Sequence, residues 1–254
     1  MRIIVNHLTR MQPGYICVAG VDLQTGRHVR PVQRGRLSRS RLARYGGPFD
    51  IATLVDLGQV EAAGSPPKVE DYGFTMDEAR PYYVAAPQDF WYLVRNIAQP
   101  RLTDIFGPEL RKQGGTCALP LGRGRASLGC LVPSGRPELV VGDANTLRLH
   151  FSDGVFDVRA SVTDIRLYEA DQKTVRIPVV HDLQRRMNGG VAVILSVGVG
   201  YPWQKAGDSE ERHWLQVNGI HLADNPVWRD DQAVSPARDR AAATSWSNSA
   251  LAYP

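Results

Sequence analysis

The chain has 254 residues, 43% of them hydrophobic, and a net charge of +4, a length that fits one large domain or two small ones. The longest apolar run, residues 191–199, is far shorter than the roughly 18 residues of a membrane span. Arg2, His7 and Arg10 leave no apolar h-region in the first dozen residues, so we expect no secretory leader. We therefore expect a soluble cytoplasmic protein without a membrane partner.

The first 75 residues show several short strand patterns. A β-branched run opens the chain, and a hairpin is predicted from Tyr15 to Val32 with Gly26 in its turn. A short helix between residues 38 and 44 is predicted to end at Gly46-Gly47, before a strand at 51–57. These elements predict a first OB-like barrel over residues 1–75.

Residues 76–119 show a different pattern. Phe90, Leu93, Val94 and Ile97 recur at helical spacing, and Pro100 ends the run. The range 76–119 is therefore predicted to be a helical connector.

Short strand patterns return at residue 120 at intervals of about ten residues, as in small barrels. A helix is predicted near Pro178 to Met187, with closing strands at 191–199 and 214–222. This order predicts a second OB-like barrel over residues 120–225, and a disordered tail over 226–254. The fold class is thus mostly β (α+β), with two tandem small OB-like barrels; an SH3-like barrel or a small sandwich is the alternative.

Four short motifs resemble the dual OB-fold domain of prokaryotic conflict systems. They are residues 5–11 (VNHLTRM), 28–32 (HVRPV), 196–203 (SVGVGYPW) and 213–220 (HWLQVNGI). The resemblance covers about residues 1–225. It implies two OB units and a role in binding nucleic acid or nucleotides in defence against invaders, and it brings no catalytic residues with it.

Arginine is concentrated in a window without acidic residues between Asp22 and Asp50, and a second acid-free window runs from Leu110 to Pro137. Guanidinium groups suit bidentate contacts to phosphate. The alternative is a solvated surface. The candidate phosphate-binding residues are Arg30, Arg34, Arg36, Arg39, Arg41, Arg123 and Arg125.

Polar and aromatic side chains at two strands could contact bases. Strict alternation would place Asn6 and Leu8 on one face of the first strand and His7 and Thr9 on the other. Trp214, Gln216 and Asn218 would share one face of the last strand, where an indole and two amides can stack and read a base. Structural roles are the alternative for each. The candidate base-contacting residues are Asn6, His7, Thr9, Arg10, Trp203, Trp214, Gln216 and Asn218.

These patterns favour a nucleic-acid-binding protein of an anti-phage system, with DNA favoured over RNA as its partner. One alternative is an enzyme such as a glycosylase that excises a modified base, with Asp22 or Asp56 as its catalytic acid. A second alternative is a nucleotide sensor.

No cofactor is expected. The three cysteines and six histidines show no metal-ligand spacing, so the sequence predicts no metal site.

Overall fold

The first half of the protein forms a curled, mainly antiparallel sheet of eight strands in the computed structural model, which describes residues 1–229. The strands are β1 (Arg2–Arg10), β2 (Tyr15–Asp22), β3 (His28–Val32), β4 (Leu37–Ser38), β5 (Thr53–Asp56), β6 (Val60–Ala62), β7 (Asp71–Phe74) and β8 (Arg80–Val84). They lie in the order β6-β7-β3-β2-β1-β5-β8, with β4 paired to β2.

The hairpin of β2 and β3 follows from its turn residues. Gly26 has φ +66°, in the left-handed region that glycine adopts without strain. Its N–H donates to the carbonyl of Asp22, and the Thr25 hydroxyl donates to the Asp22 carboxylate. The predicted hairpin is therefore confirmed.

The predicted short helix at residues 38–44 is a pair of 3₁₀ turns, Arg39–Arg41 and Ala43–Tyr45. The second ends at Gly46, which has φ +84°. Leu42 between the two turns is buried, while Arg41 and Arg44 are exposed. This segment therefore presents its arginines to solvent from an anchored backbone.

The range 76–119 contains helices α1 (Pro87–Ile97) and α2 (Leu102–Phe106), but strands of both sheets also lie in it. β8 pairs with β5 of the first sheet. Three further strands, β9 (Ala98–Gln99), β10 (Arg111–Gln113) and β11 (Thr116–Pro120), belong to the second sheet. The helix predicted from the spacing of Phe90 to Ile97 is confirmed as α1.

The second sheet has nine strands among the described residues. Its remaining strands are β12 (Leu128–Leu131), β13 (Ser134–Gly142), β14 (Thr146–Ser152), β15 (Asp157–Val162), β16 (Val193–Val199) and β17 (Arg212–Leu222). The main order is β13-β14-β15-β17-β16-β12-β9, with β11 paired to β17 and β10. Most pairs are antiparallel, but β15 with β17 and β12 with β9 are parallel.

Helix α3 (Ile177–Asn188) confirms the predicted helix near Pro178. Val180, Leu183 and Met187 recur at three- and four-residue spacing and pack into the second core. Trp228, which falls in the predicted tail, also packs into this core and donates its indole N–H to the carbonyl of Ile220. Residues 230–254 of that predicted tail lie outside the described residues.

The two halves pack directly on each other. Cys130 and Ile194 of the second sheet lie in the core of the first. The backbone N–H of Arg10 donates to Thr163 (2.8 Å). The buried Glu70 carboxylate accepts hydrogen bonds from the backbone and hydroxyl of Ser127. These polar contacts fix the relative position of the halves.

No helix among residues 1–229 is long and apolar enough to cross a membrane.

Candidate nucleic-acid interface

One face of the second sheet carries a row of polar positions set by strand register. Arg148 on β14 is paired with Ser161 on β15, Ser161 with Gln216 on β17, and Gln216 with Gly198 on β16. Directly paired residues point to the same face of a sheet, and the alternating neighbours, such as Leu149 and Val217, face the core. We call Arg148, Ser161, Gln216 and Gly198 the sheet face. With strand spacing near 4.8 Å it spans about 14 Å.

A glycine in β16 and another just after this strand leave room for the amide side chains of β17. A Cβ at Gly198 would lie 2.4 Å from the Asn218 amide nitrogen, and one at Gly200 would lie 3.1 Å from that of Gln216. Larger residues at these positions would therefore displace the amides.

A basic pocket of about 270 Å³ opens at one end of the sheet face. Arg10 of the first half contributes to it together with Arg148 and Lys173 of the second. Thr146 and Ser161 add hydroxyl groups, and none of the described residues lining the pocket is acidic. The remaining lining residues are Asn145, Leu147 and Val162. Three cations with hydroxyl donors form a suitable environment for a phosphate group.

An aromatic pair lies close to this pocket. The Trp203 and Trp214 rings are 5.8 Å apart, and the Trp214 indole N–H donates to the Trp203 carbonyl (2.9 Å). The Lys205 ammonium lies 3.3 Å from the centre of the Trp214 ring. Burial lowers the pKa of Lys205, and the nearby charge of Arg148 lowers it further. Trp203 is 48% exposed, so its ring is available for stacking next to the basic residues.

The first-half arginines reach this region through the loop that contains Gln172. Arg39 donates to the carbonyl of Ala170, and Arg10 donates to that of Gln172 (3.0 Å). The buried Gln172 side chain bonds to the backbone of Gly14 (2.6 Å) and Tyr15 (3.0 Å). Because Lys173 follows directly and lines the pocket, the arginines and the pocket lie on neighbouring parts of one surface.

The arginine segment itself, defined as Arg34, Arg36, Arg39 and Arg41, is largely open to solvent. The guanidinium of Arg36 lies over the Tyr15 ring at 5.8 Å, and that of Arg39 over Tyr45 at 5.5 Å. Both tyrosines are themselves exposed. Cations and aromatic rings are thus interleaved on this surface.

A family model described as a dual OB-containing domain matches residues 1–220. The chain belongs to this family. No curated protein matches the chain, and no solved structure does. The dual OB architecture is one that suggests binding of nucleic acid or oligonucleotides.

The dual OB structure buries several residues that the sequence placed at a base-contacting surface. Asn6, His7 and Asn218 are at most 7% exposed and lie between the two halves. The Asn218 amide nitrogen is 3.4 Å from His7 Nδ1, and the Asn6 carbonyl is 3.2 Å from His221 Nε2. Thr9 is also buried and donates to the carbonyl of Cys17 (3.4 Å). These side chains lie between the two halves and not on the outer surface, which corrects their predicted exposure; contact with a base stays a prediction for them.

Arg30 is corrected in the same way. It is 9% exposed and forms an ion pair with Asp71 at 2.5 Å. Its position on β3, next to β7, places the guanidinium inside the fold. It is therefore not available to a phosphate on the surface.

Two β-bulges, one in the first strand and one in the last, explain why strict alternation is wrong for both strands. Val5 pairs with Gly20 and His7 with Ala19, which leaves Asn6 as an extra residue in β1. Asn6 and His7 consequently both contact His28. A second bulge leaves Asn218 as the extra residue in β17. Bulges redirect side chains and are common next to functional sites.

The remaining candidates differ in exposure. Trp203 is exposed, Gln216 and Arg10 are half-buried, and Trp214 is only 4% exposed beneath Lys205. Arg123 and Arg125 are exposed on a loop whose Gly124 lies against Pro67 and Leu119.

The two candidate acids have structural contacts. Asp22 accepts the Thr25 hydroxyl in the hairpin turn. Asp56 accepts the backbone N–H of Gly58 and the guanidinium of Arg2, and the Gly58 bond is the main reason that its pKa is lowered. Both lie beside the first residues of β1, about 23–26 Å along that strand from Arg10. The fold does not bring them to the pocket.

Sequence reasoning missed Arg148, Ser161, Lys173 and Lys205. Arg148 alternates with core leucines in β14, which marks it as outward-facing, but nothing in the sequence pairs β14 with β17 across β15. The parallel pairing of β15 with β17 is what brings these residues together.

Proposed function

We propose that this protein binds single-stranded nucleic acid along a basic surface that runs from the arginine segment, past the pocket, to Trp203. The observation that carries the proposal is the pocket of Arg10, Arg148 and Lys173, to which both halves contribute. The outer face of an OB barrel is where such folds bind oligonucleotides.

Each part of the surface has a separate role in this proposal. The pocket holds one phosphate, and the arginine segment contacts the following phosphates without regard to sequence. Trp203 stacks on a base, and the half-buried amide of Gln216 contacts a base edge. DNA is the preferred polymer in the proposal, and the cytoplasm is its location. The resemblance in the motifs supports a role in prokaryotic defence.

The pocket is tested by charge reversal. The double variant Arg148→Glu/Lys173→Glu should bind a labelled single strand of roughly 16 nucleotides, the upper end of the site size of an OB fold, much more weakly than the wild type. Because the pocket holds one phosphate, the slope of log affinity against log salt should fall by about 0.7 unit. Fluorescence anisotropy at several salt concentrations measures both quantities, with DNA, RNA and duplex as separate ligands.

Arg80→Glu is the matched control. Arg80 is exposed and pairs in register with Asp56, at the far end of β1 from Arg10. This variant should bind as the wild type does, apart from a small long-range effect of charge. Equal affinity and equal slope for the double variant and the wild type would contradict the proposal.

A further inference from the structure

Three side chains with metal-binding atoms meet between the two halves. His7 on β1 and His28 on β3 come from the first sheet, and Cys130 on β12 comes from the second. One donor atom from each lies within 4.8 Å of the other two. The residues are far apart in the sequence, which is why spacing predicted no metal site.

The donor atoms are placed closely enough for one ion. The His28 Nε2 atom is 3.9 Å from the Cys130 Sγ atom. Around a tetrahedral zinc ion, with bonds near 2.3 Å to sulfur and 2.0–2.1 Å to nitrogen, that separation would be about 3.6 Å. The rings of His7 and His28 meet edge to face, with centroids 5.1 Å apart. A small contraction would bring His28 and Cys130 into bonding distance, while His7 must move closer and the Asn6 amide, now 3.2 Å from His28 Nε2 and 3.3 Å from Cys130 Sγ, must turn aside.

An unpartnered buried atom supports a ligand at this place. His7 is 1% exposed, and its Nε2 atom has no hydrogen-bond partner. A buried polar atom without a partner is costly, and a metal bond would satisfy it. The other ring nitrogen, Nδ1, lies 3.4 Å from the Asn218 amide nitrogen.

The neighbours of His7 can adapt to a metal-bound ring. Oxygen and nitrogen of an amide are assigned from the hydrogen-bond network, so the Asn218 amide can turn its oxygen toward Nδ1. Its nitrogen would then donate to the Thr163 hydroxyl, now 3.1 Å from the amide oxygen, and that hydroxyl is 3.3 Å from the Val217 carbonyl. Metal-bound histidines are commonly held in this way through the second ring nitrogen.

We propose that His7, His28 and Cys130 bind a zinc ion that joins the two halves. Two imidazoles and a thiolate are a donor set that suits Zn²⁺. Binding replaces the thiol proton with the Zn–S bond and releases that proton to solvent. Three protein ligands leave the fourth tetrahedral position to a water molecule. Since His7 and Cys130 are buried, the ion lies between the halves and stabilises their contact, and half-exposed His28 marks its entry path.

The experiment uses the full chain, reduced and dialysed against a chelator, and then titrated with Co²⁺ and Zn²⁺. We expect one Co²⁺ per chain, with a thiolate-to-cobalt charge-transfer band that Zn²⁺ abolishes by displacement. Zn²⁺ should also raise the melting temperature, because a ligand that binds only the folded state stabilises it. The absence of the charge-transfer band at micromolar Co²⁺ would overturn the proposal.

Variants locate the ion. Cys130→Ala should abolish the charge-transfer band, whereas Cys17→Ala, which removes a half-buried thiol on β2, should retain it. If Cys130→Ala does not fold, His28→Gln removes a ligand at a half-exposed position and should weaken Co²⁺ binding at least about tenfold. A band that survives in Cys130→Ala, or unchanged affinity in His28→Gln, would contradict the assignment. None of these outcomes depends on nucleic-acid binding.

Discussion

The arginine segment and the sheet face place positive charge on the surface in different ways. Arg39 and Arg41 of the arginine segment lie on the first 3₁₀ turn, Arg34 and Arg36 precede it, and most of these side chains extend into solvent. The sheet face takes its geometry from the pairing of β14, β15, β17 and β16. The first region supplies charge without fixed spacing, and the second supplies fixed positions. We therefore expect attraction and orientation of a ligand to be separable in this molecule.

The largest expected effect comes from removing the charge of the first region. Arg34→Ala/Arg36→Ala/Arg39→Ala/Arg41→Ala should lower the salt slope for a single strand by up to about three units, since each phosphate contact contributes about 0.7 unit. Relative affinities for different base sequences should not change. Anisotropy titrations with several oligonucleotides at several salt concentrations measure both. A changed base preference with an unchanged slope would contradict the claim that the arginine segment attracts the ligand without reading its sequence.

Removing the exposed indole should have the opposite signature. Trp203→Ala should reduce affinity by the stacking contribution of one base, about 1–3 kcal/mol, and leave the salt slope as it is. Trp91→Ala is the matched control, because Trp91 is a half-buried residue of α1 that packs against the first core. The same titrations serve for both variants. A loss of slope in Trp203→Ala would show that its effect is on charge placement and not on stacking.

The third expected effect is smaller and concerns Glu70, which links the halves. Burial raises the pKa of Glu70 above its ordinary value of 4.5, although bonds from Ser127 and Leu128 act in the opposite direction. The folded state thus binds the carboxyl proton of Glu70 more tightly than the unfolded state does. The contribution of Glu70 to the free energy of unfolding should be fully present below pH 4.5 and decline as pH rises through the raised pKa.

Urea unfolding of the wild type and of Glu70→Gln across this pH range tests the sign. The difference in unfolding free energy, wild type minus variant, should fall as pH rises. Glu138→Gln, on the exposed edge of β13, should show no such trend. A difference that rises with pH would mean that the hydrogen bonds outweigh burial.

The sequence predicts local structure better than it predicts the site. The Gly26 hairpin, α1 and α3 follow from turn residues and helical spacing within a few residues, and all three were predictable. Residues 76–119 contain strands of both sheets because β8 and β11 find partners far away in the chain. Such long-range pairing leaves no local pattern.

The residues of the candidate site also differ in whether local sequence or long-range packing determines their position. The arginine segment could be predicted because a high local density of one residue type is visible without knowing the fold. The polar character of Asn6, His7 and Asn218 predicts exposure, whereas their side chains lie between the two halves of the protein. Arg148 and Lys173 were missed because the pocket exists only once both halves are packed.

The contact between the halves also gives the surface a fixed length. Gln172 is 1% exposed and bonds to both Gly14 and Tyr15, so the loop before Lys173 cannot move independently of the first sheet. The distance between the arginine segment and Trp203 is therefore fixed by the packing of the two halves. A strand too short to span that separation would lose one of its two attachments completely, whereas a longer strand would gain nothing by its extra length. The fold itself, and not a flexible linker, would set the shortest ligand that binds fully.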